Sequence, residues 1–326
     1  MKFKKSINFI IQIVIISTSL YFLYNELHDN QDIRKIGIGY LSKLCLDNLL
    51  GISLVIFMMF LNWFLEAIKW RILIKKIELI PVSRSLQAVF TGITVSTFTP
   101  NRIGEYAGRV FCLKKANRIQ AALITVLGSM SQLLTTIVFG SIAFLFSFQY
   151  LDQYNDSLFI LHNNFILISI VLMVISVASL FLYFNIVNII AKIKTISWIS
   201  NIYSYIKVLS YYNKKELFQV FLYSILRYII FTTQFFILLN LFEVYILYHH
   251  AIVLIMLMLL IISIIPTIAI TEISLRGSIA VFLFSVFSQN ILGILAATLF
   301  IWLINLVIPA FIGTIFIFTL KFFRKY

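Results

Sequence analysis

The chain has 326 residues, of which 61% are hydrophobic and only 12% charged, and its net charge is +14. So few charges cannot cover the surface of a water-soluble domain, which excludes an ordinary soluble enzyme or binding module. The basic excess does not indicate nucleic acid either. Lys and Arg fall in short clusters beside apolar stretches, such as Lys2, Lys4 and Lys5 or Lys114, Lys115 and Arg118, as in cytoplasmic loops facing anionic lipids.

A membrane-spanning helix needs ~20 largely apolar residues, and such stretches recur along the chain. Residues 6–24 form the first, with a basic start and no small-residue cleavage site, since the first alanine is Ala67. A retained anchor leaving the cytoplasm is expected there. Residues 25–48 carry nearly balanced charge and are placed outside, and a second span over 49–65 returns to a basic cytoplasmic stretch beginning at Lys69. Spans over 121–148 and 164–184 flank a loop holding Asp152 and Asp156 but no Lys or Arg, which suits the external side. In the lysine-rich segment 185–216, Ile186, Ile189, Ile190 and Ile193 recur at helical spacing, predicting amphipathic helix on the inner surface. Spans over 218–241 and 291–320 bring the total to about six and leave the basic tail inside.

The predicted fold is therefore all-α, a polytopic helical membrane protein forming one domain over residues 1–326. It is placed in the cell's cytoplasmic (inner) membrane with both termini inside. Cys45 and Cys112 fall on opposite sides of that topology, so no disulfide is expected. His249 and His250 read as a solvated interfacial pair, and no metal site or cofactor is expected.

Two stretches, 85–113 and 251–288, are too long for loops and are interrupted by proline and charge. Each must return to the side it came from for the alternation to hold, which predicts re-entrant hairpins entering from opposite faces. Irregular backbone at membrane depth survives only where protein buries it or a wet cavity adjoins it. The first interruption runs Thr99-Pro100-Asn101-Arg102-Ile103-Gly104-Glu105, with Arg109 four residues beyond Glu105. The second has Pro266, Thr271 and Glu272, again with an arginine, Arg276, four residues on. At that spacing each Glu–Arg pair shares one helix face, and two such units in opposite orientation suggest an inverted repeat with a site near the midplane. Each charge within the membrane costs ~2.5–3.5 kcal/mol, so these four must pair or face a polar cavity. Thr99 is the expected N-cap of a helix starting at Pro100, with Arg102 in its first turn. Broken-helix N-termini and arginines together suit a phosphate. Arg227, ten residues into its span, needs Glu105, Glu272, water or a lipid phosphate as partner, or snorkels to the surface. Asn62, Gln132, Gln234 and Asn305 are expected to hydrogen-bond between helices.

Asn62-Trp63, Lys69-Trp70, the run from Thr99 through Pro100, Arg102, Gly104 and Glu105 to Arg109, and Pro266 with Arg276-Gly277 resemble one family. It is the transmembrane region of lysylphosphatidylglycerol synthase/flippase proteins, and the resemblance covers nearly the whole chain. It implies a lipid-handling membrane domain with two re-entrant hairpins. Lys69 stands where an arginine is common, and the second hairpin lacks the Gly-rich Arg-Glu form of many relatives. Aminoacyl transfer in the full-length proteins resides in a soluble C-terminal domain, and this chain ends at Tyr326, so synthase activity is not expected.

The expected function is that of a flippase or carrier binding an anionic phospholipid or a polyprenyl-phosphate-linked lipid in a midplane cavity. Arg102, Arg109, Arg276 and Arg227 are the expected phosphate ligands, and Glu105 and Glu272 the groups that pair with them when the site is empty. Asn62, Lys69, Trp70, Thr99, Pro100, Gly104, Pro266 and Thr271 are supporting positions. No catalytic constellation is present, so an enzyme is not expected. The alternative is an accessory subunit of a membrane glycosyltransferase or lipid synthase. Partners are then anionic membrane lipids, with a second copy of the chain or a glycosyltransferase left open, and no nucleic acid.

Overall fold

The computed structural model describes residues 48–97, 99, 102–151, 159–193, 200–265 and 269–317, with positions 17 and 21 besides. The expected first span, Cys45, Pro100, Pro266 and the basic tail lie outside the described residues. Within them every regular element is helical. In chain order the helices are α1 (Leu49–Ile74), α2 (Val82–Ser96), α3 (Gly104–Phe111), α4 (Arg118–Leu151), α5 (Phe159–Phe184), α6 (Ile186–Ile193) and α7 (Ser200–Ile206). They continue as α8 (Lys214–Leu241), α9 (Tyr248–Ile264), α10 (Ala269–Phe284), α11 (Ile291–Trp302) and α12 (Ile308–Ile317). Among the described residues α1, α4, α5, α8 and the α11–α12 run are long and apolar enough to cross a bilayer, which makes the chain a polytopic membrane protein.

Helix α1 shows how the sequence sorts its faces. Leu54, Phe57, Leu61 and Phe64 are exposed, as lipid-facing residues should be, whereas Val55, Met59, Asn62, Glu66 and Lys69 are buried. The buried set recurs every three or four residues, so it forms one stripe along the helix. That helix runs two turns beyond the expected 49–65 span, because no Gly or Pro interrupts it before Lys75. Lys69 is therefore no cytoplasmic loop charge: it is 1% exposed inside α1, which corrects the reading from sequence.

Helix ends are set by local chemistry. Asn213 and Glu216 form a reciprocal capping box at the start of α8, with the Glu216 N–H donating to Asn213 Oδ1 at 2.8 Å and the Asn213 N–H to Glu216 Oε2 at 3.1 Å. Before α4, the backbone N–H groups of Lys114, Lys115 and Ala116 all donate to the Glu78 carboxylate, at 2.7 to 3.1 Å. Burial alone would raise that carboxyl, but the donors from Ala116, Lys114 and Lys115 outweigh it and hold Glu78 below the usual carboxylate range. Pro309 has no N–H for the Asn305 carbonyl, and the turn Leu303–Val307 just before it widens to a π-helix. Between α5 and α8, α6 and α7 cover part of the predicted amphipathic segment. Tyr212 ties its end to the bundle by donating to the Leu73 carbonyl at 2.7 Å.

Packing is reciprocal between two halves, α1–α4 and α8–α12. Helices α1 and α8 lie antiparallel: Gly51 meets Leu241 at one end, Gln234 donates to the Val55 carbonyl midway, and Arg227 reaches Asn62 further along. The last helix of each half packs on the first short helix of the other, α4 on α9 and α12 on α2. Small residues allow the second contact, since a Cβ on Gly313 would fall 2.2 Å from the Phe90 carbonyl oxygen. Thr94 also donates to the Ala310 carbonyl there, at 2.8 Å. Each half thus contributes a long helix, a broken helix pair and a second long helix, in the same chain order.

Candidate functional site

Three cations meet one carboxylate in the interior. On the buried stripe of α1, Asn62, Glu66 and Lys69 stand four and three residues apart, so all three face α3, α4 and α8. Lys69 Nζ lies 2.7 Å from Glu66 Oε2, Arg109 donates from Nη1 to Glu66 Oε1 at 2.8 Å, and Arg227 donates from Nη1 to Glu66 Oε2. Lys69 also donates to the Gly128 carbonyl at 3.2 Å and to Ser224 Oγ at 3.4 Å, which satisfies the ammonium. Arg227 donates from Nε to Asn62 Oδ1 at 2.7 Å and from Nη1 to Gln132 Oε1 at 3.2 Å, and it lies 5.2 Å from the Trp63 ring centroid. Arg109 bonds Glu105 one turn back on α3, as its spacing predicts. Three positive and two negative side chains thus leave an excess of one positive charge away from water.

A second charged cluster sits at the helix breaks. Arg102 holds a left-handed backbone, φ 57°, between α2 and α3, a conformation costly for a side chain with a Cβ and frequent at ligand clamps. Its Nη2 donates to Glu272 Oε1 of α10 at 2.6 Å, and Arg276 donates from Nε to the same oxygen at 2.9 Å, with Nη2 at 2.8 Å. This bridge joins the break of the first half to the broken pair of the second. Glu272 is 7% exposed and Arg276 14%, but Arg102 is 41% exposed. Arg102, Glu272 and Arg276 line a cavity of about 560 Å³, together with Ser96, Thr97, Thr99, Thr136 and Ser263 and the apolar Leu259, Ile262 and Leu306. Here too two guanidiniums face one carboxylate, and one positive charge is left over.

Glycines bring the first break together. A Cβ on Gly108 would lie 2.7 Å from the Gly92 Cα, so α2 and α3 touch backbone to backbone. One on Gly104 would lie 2.4 Å from the Val95 carbonyl oxygen. Helix α3 begins at Gly104, and the expected helix start at Pro100, after Thr99, lies outside the described residues. The Thr99 hydroxyl accepts the Gly104 N–H at 2.8 Å, and Arg102, with its left-handed backbone, lies between them just before α3.

The structure divides the four expected phosphate ligands. Arg102 and Arg276 line the cavity with Glu272, whereas Arg109 and Arg227 are bound to Glu66 outside its lining. Arg227 neither snorkels nor reaches Glu272. Its partner is Glu66, a residue absent from the sequence-based set because the second span was ended one position before it. The Glu66–Lys69 spacing of one helical turn was the signal available. Asn62, Gln132 and Gln234 bond across helices as expected, but Asn305 donates to the Ile301 carbonyl of its own helix, at 3.2 Å. Trp70 donates to Thr125 Oγ1 of α4 at 3.0 Å. Pro100 and Pro266 lie outside the described residues, as does the Thr271 side chain.

Residues 10–313 match the family described as the lysylphosphatidylglycerol synthase TM region. Comparisons with curated proteins and with solved structures find no match.

Proposed function

Because the chain belongs to the lysylphosphatidylglycerol synthase TM-region family, and so is a membrane protein of flippase-like kind, we propose that it binds and carries an anionic lipid through the cavity at its two helix breaks. The observation that carries this reading is the pair of guanidiniums, Arg102 and Arg276, held on a single oxygen of Glu272 at the cavity wall. A lipid phosphate offers more acceptor oxygens than one carboxylate and matches the donor fork of arginine. On binding it displaces Glu272 from Arg102, the more exposed cation, and so loosens the bridge between the two halves. Release restores the bridge. Binding energy is thereby coupled to the contact that ties the halves together, which a carrier alternating between two faces requires. The Glu66 cluster holds α1, α3 and α8 in place behind the site.

Helix lengths support the re-entrant reading. At 1.5 Å per residue α2 and α3 span about 22 and 12 Å, and α9 and α10 about 26 and 24 Å. None alone reaches the ~30 Å of the hydrocarbon core, and α2 and α3 double back on each other at Gly92 and Gly108, which supports a pair that enters and leaves on one face. The same reading places the protein in the cytoplasmic membrane with both termini inside.

The test is transport by purified protein in vesicles carrying a labelled anionic lipid. Wild type should speed its crossing, and Arg102→Asn, whose asparagine tolerates the left-handed backbone, should slow it by about tenfold or more. Arg276→Lys should retain part of the activity but lose the forked contact. Unchanged transport by Arg102→Asn would remove the cavity from the mechanism. If pure protein moves no anionic lipid, yet its loss in cells mislocalises a membrane glycosyltransferase, the accessory-subunit reading replaces this one.

A further inference from the structure

The polar side chains around the cavity divide sharply by hydrogen-bond role. Among the described residues its donors are the two guanidiniums of Arg102 and Arg276. Its hydroxyls have already spent their protons. Ser96 Oγ lies 2.7 Å from the Ile93 carbonyl oxygen, Thr97 Oγ1 2.7 Å from that of Thr94, and Ser263 Oγ 2.7 Å from that of Leu260. Thr136 Oγ1 lies 3.2 Å from the Gln132 carbonyl oxygen, and Thr99 Oγ1 3.2 Å from that of Ser96. A carbonyl only accepts, so in every one of these contacts the hydroxyl must donate. What Ser96, Thr97, Thr136 and Ser263 retain is lone pairs, while Thr99 also accepts the Gly104 N–H, and the Glu272 carboxylate adds further acceptors.

From this we infer that the lipid recognised by the site carries a headgroup rich in neutral hydrogen-bond donors, a polyol or sugar joined through its phosphate. The inference rests on the phosphate-binding reading above and names its substrate class. A bare phosphate offers these acceptors nothing, and a quaternary ammonium has no donor. A primary ammonium has donors but adds a charge to a site that the phosphate has already made neutral, where two guanidiniums face one carboxylate and one phosphate charge. Hydroxyls suit acceptor oxygens without adding that charge. A cavity of about 560 Å³ also holds far more than a phosphate and falls within the range that encloses whole small ligands.

The experiment compares three lipids on purified protein in nanodiscs. Phosphatidylinositol supplies a hydroxylated ring, phosphatidylethanol the same phosphodiester charge with no headgroup hydroxyl, and phosphatidylethanolamine an ammonium. Phosphatidylinositol should bind at least about fivefold more tightly than phosphatidylethanol, as one or two added hydrogen bonds allow. It should also outbind phosphatidylethanolamine. Ser263→Ala and Thr136→Val should each lower the ratio between phosphatidylinositol and phosphatidylethanol, a ratio read on one sample and so independent of how much protein is folded. Equal binding of the two anionic lipids overturns the headgroup assignment and leaves the phosphate site standing. Tightest binding of phosphatidylethanolamine overturns it in favour of an ammonium. If no anionic lipid binds, the phosphate reading falls and this inference with it.

Discussion

Glu66 concentrates the electrostatic stakes of the fold in one side chain. It is 4% exposed, and Lys69, Arg109 and Arg227 all lean on it. A buried ion pair stabilises little against an apolar replacement of both partners, but removing one partner strands the other charge. Glu66→Gln should therefore cost about 3–5 kcal/mol, read as a lower melting temperature in detergent. Adding Lys69→Met should recover part of that loss, because fewer cations are then left facing an amide. Strictly additive losses would mean that the cluster is not coupled. Glu105, whose side chain is 23% exposed, should cost less than Glu66 when changed to Gln, since water reaches its own side of the pair and Arg109 keeps Glu66 as a second partner.

At the scale of elements, short contacts between connections hold the helices in register. Glu78, just beyond α1, gathers the N–H groups of the turn that leads into α4, a small anion-binding nest closed by a carboxylate of the same chain. Its carboxyl is held below the usual range, so the folded state binds the proton less readily than the unfolded one. The contribution is then fully present above the ordinary glutamate value of ~4.3 and is lost as pH falls through the lowered one. Wild type should exceed Glu78→Gln in thermal stability at neutral pH, with the gap closing only in acid below that value. A gap independent of pH from neutrality down to acid would show that the carboxylate's charge is not what the turn uses. The first break follows the same logic of close approach: Gly92, Gly104 and Gly108 bring α2 and α3 within reach of each other, and the arginine at the break reaches across to Glu272.

Over the whole molecule, the antiparallel α1 and α8 and the reciprocal packing of α4 on α9 and α12 on α2 make two interlocked halves. Neither half buries its broken pair alone; each covers the other's. The proposed orientation, with both termini inside, makes the segment 185–216 cytoplasmic and the stretch 149–163 external, and it can be tested directly. A cysteine placed at position 207, in a background lacking Cys45 and Cys112, should be protected from a membrane-impermeant thiol reagent in right-side-out cells, and one at position 155 should react. Reaction at 207 and protection at 155 would invert the topology.

The membrane class, the five spans among the described residues and the two interruptions were legible in the sequence, because each depends on composition within about 20 residues or on proline beside charge. So were the Glu105–Arg109 and Glu272–Arg276 pairs, since spacing of four on a helix settles the contact locally. Partners distant in the chain were not legible. Arg227 and Glu66 are separated by 161 positions, and Arg102 and Glu272 by 170, and no periodicity links residues so far apart. Nor does local pattern distinguish a charge that ends a span from one that continues inside it, which is why Lys69 read as a loop residue and Glu66 was passed over. Only packing α1 against α3, α4 and α8 brings counter-charges close enough to keep both inside the bundle. The left-handed turn at Arg102 likewise follows from tertiary contact, with Glu272 holding in place a backbone that local preference alone would not select.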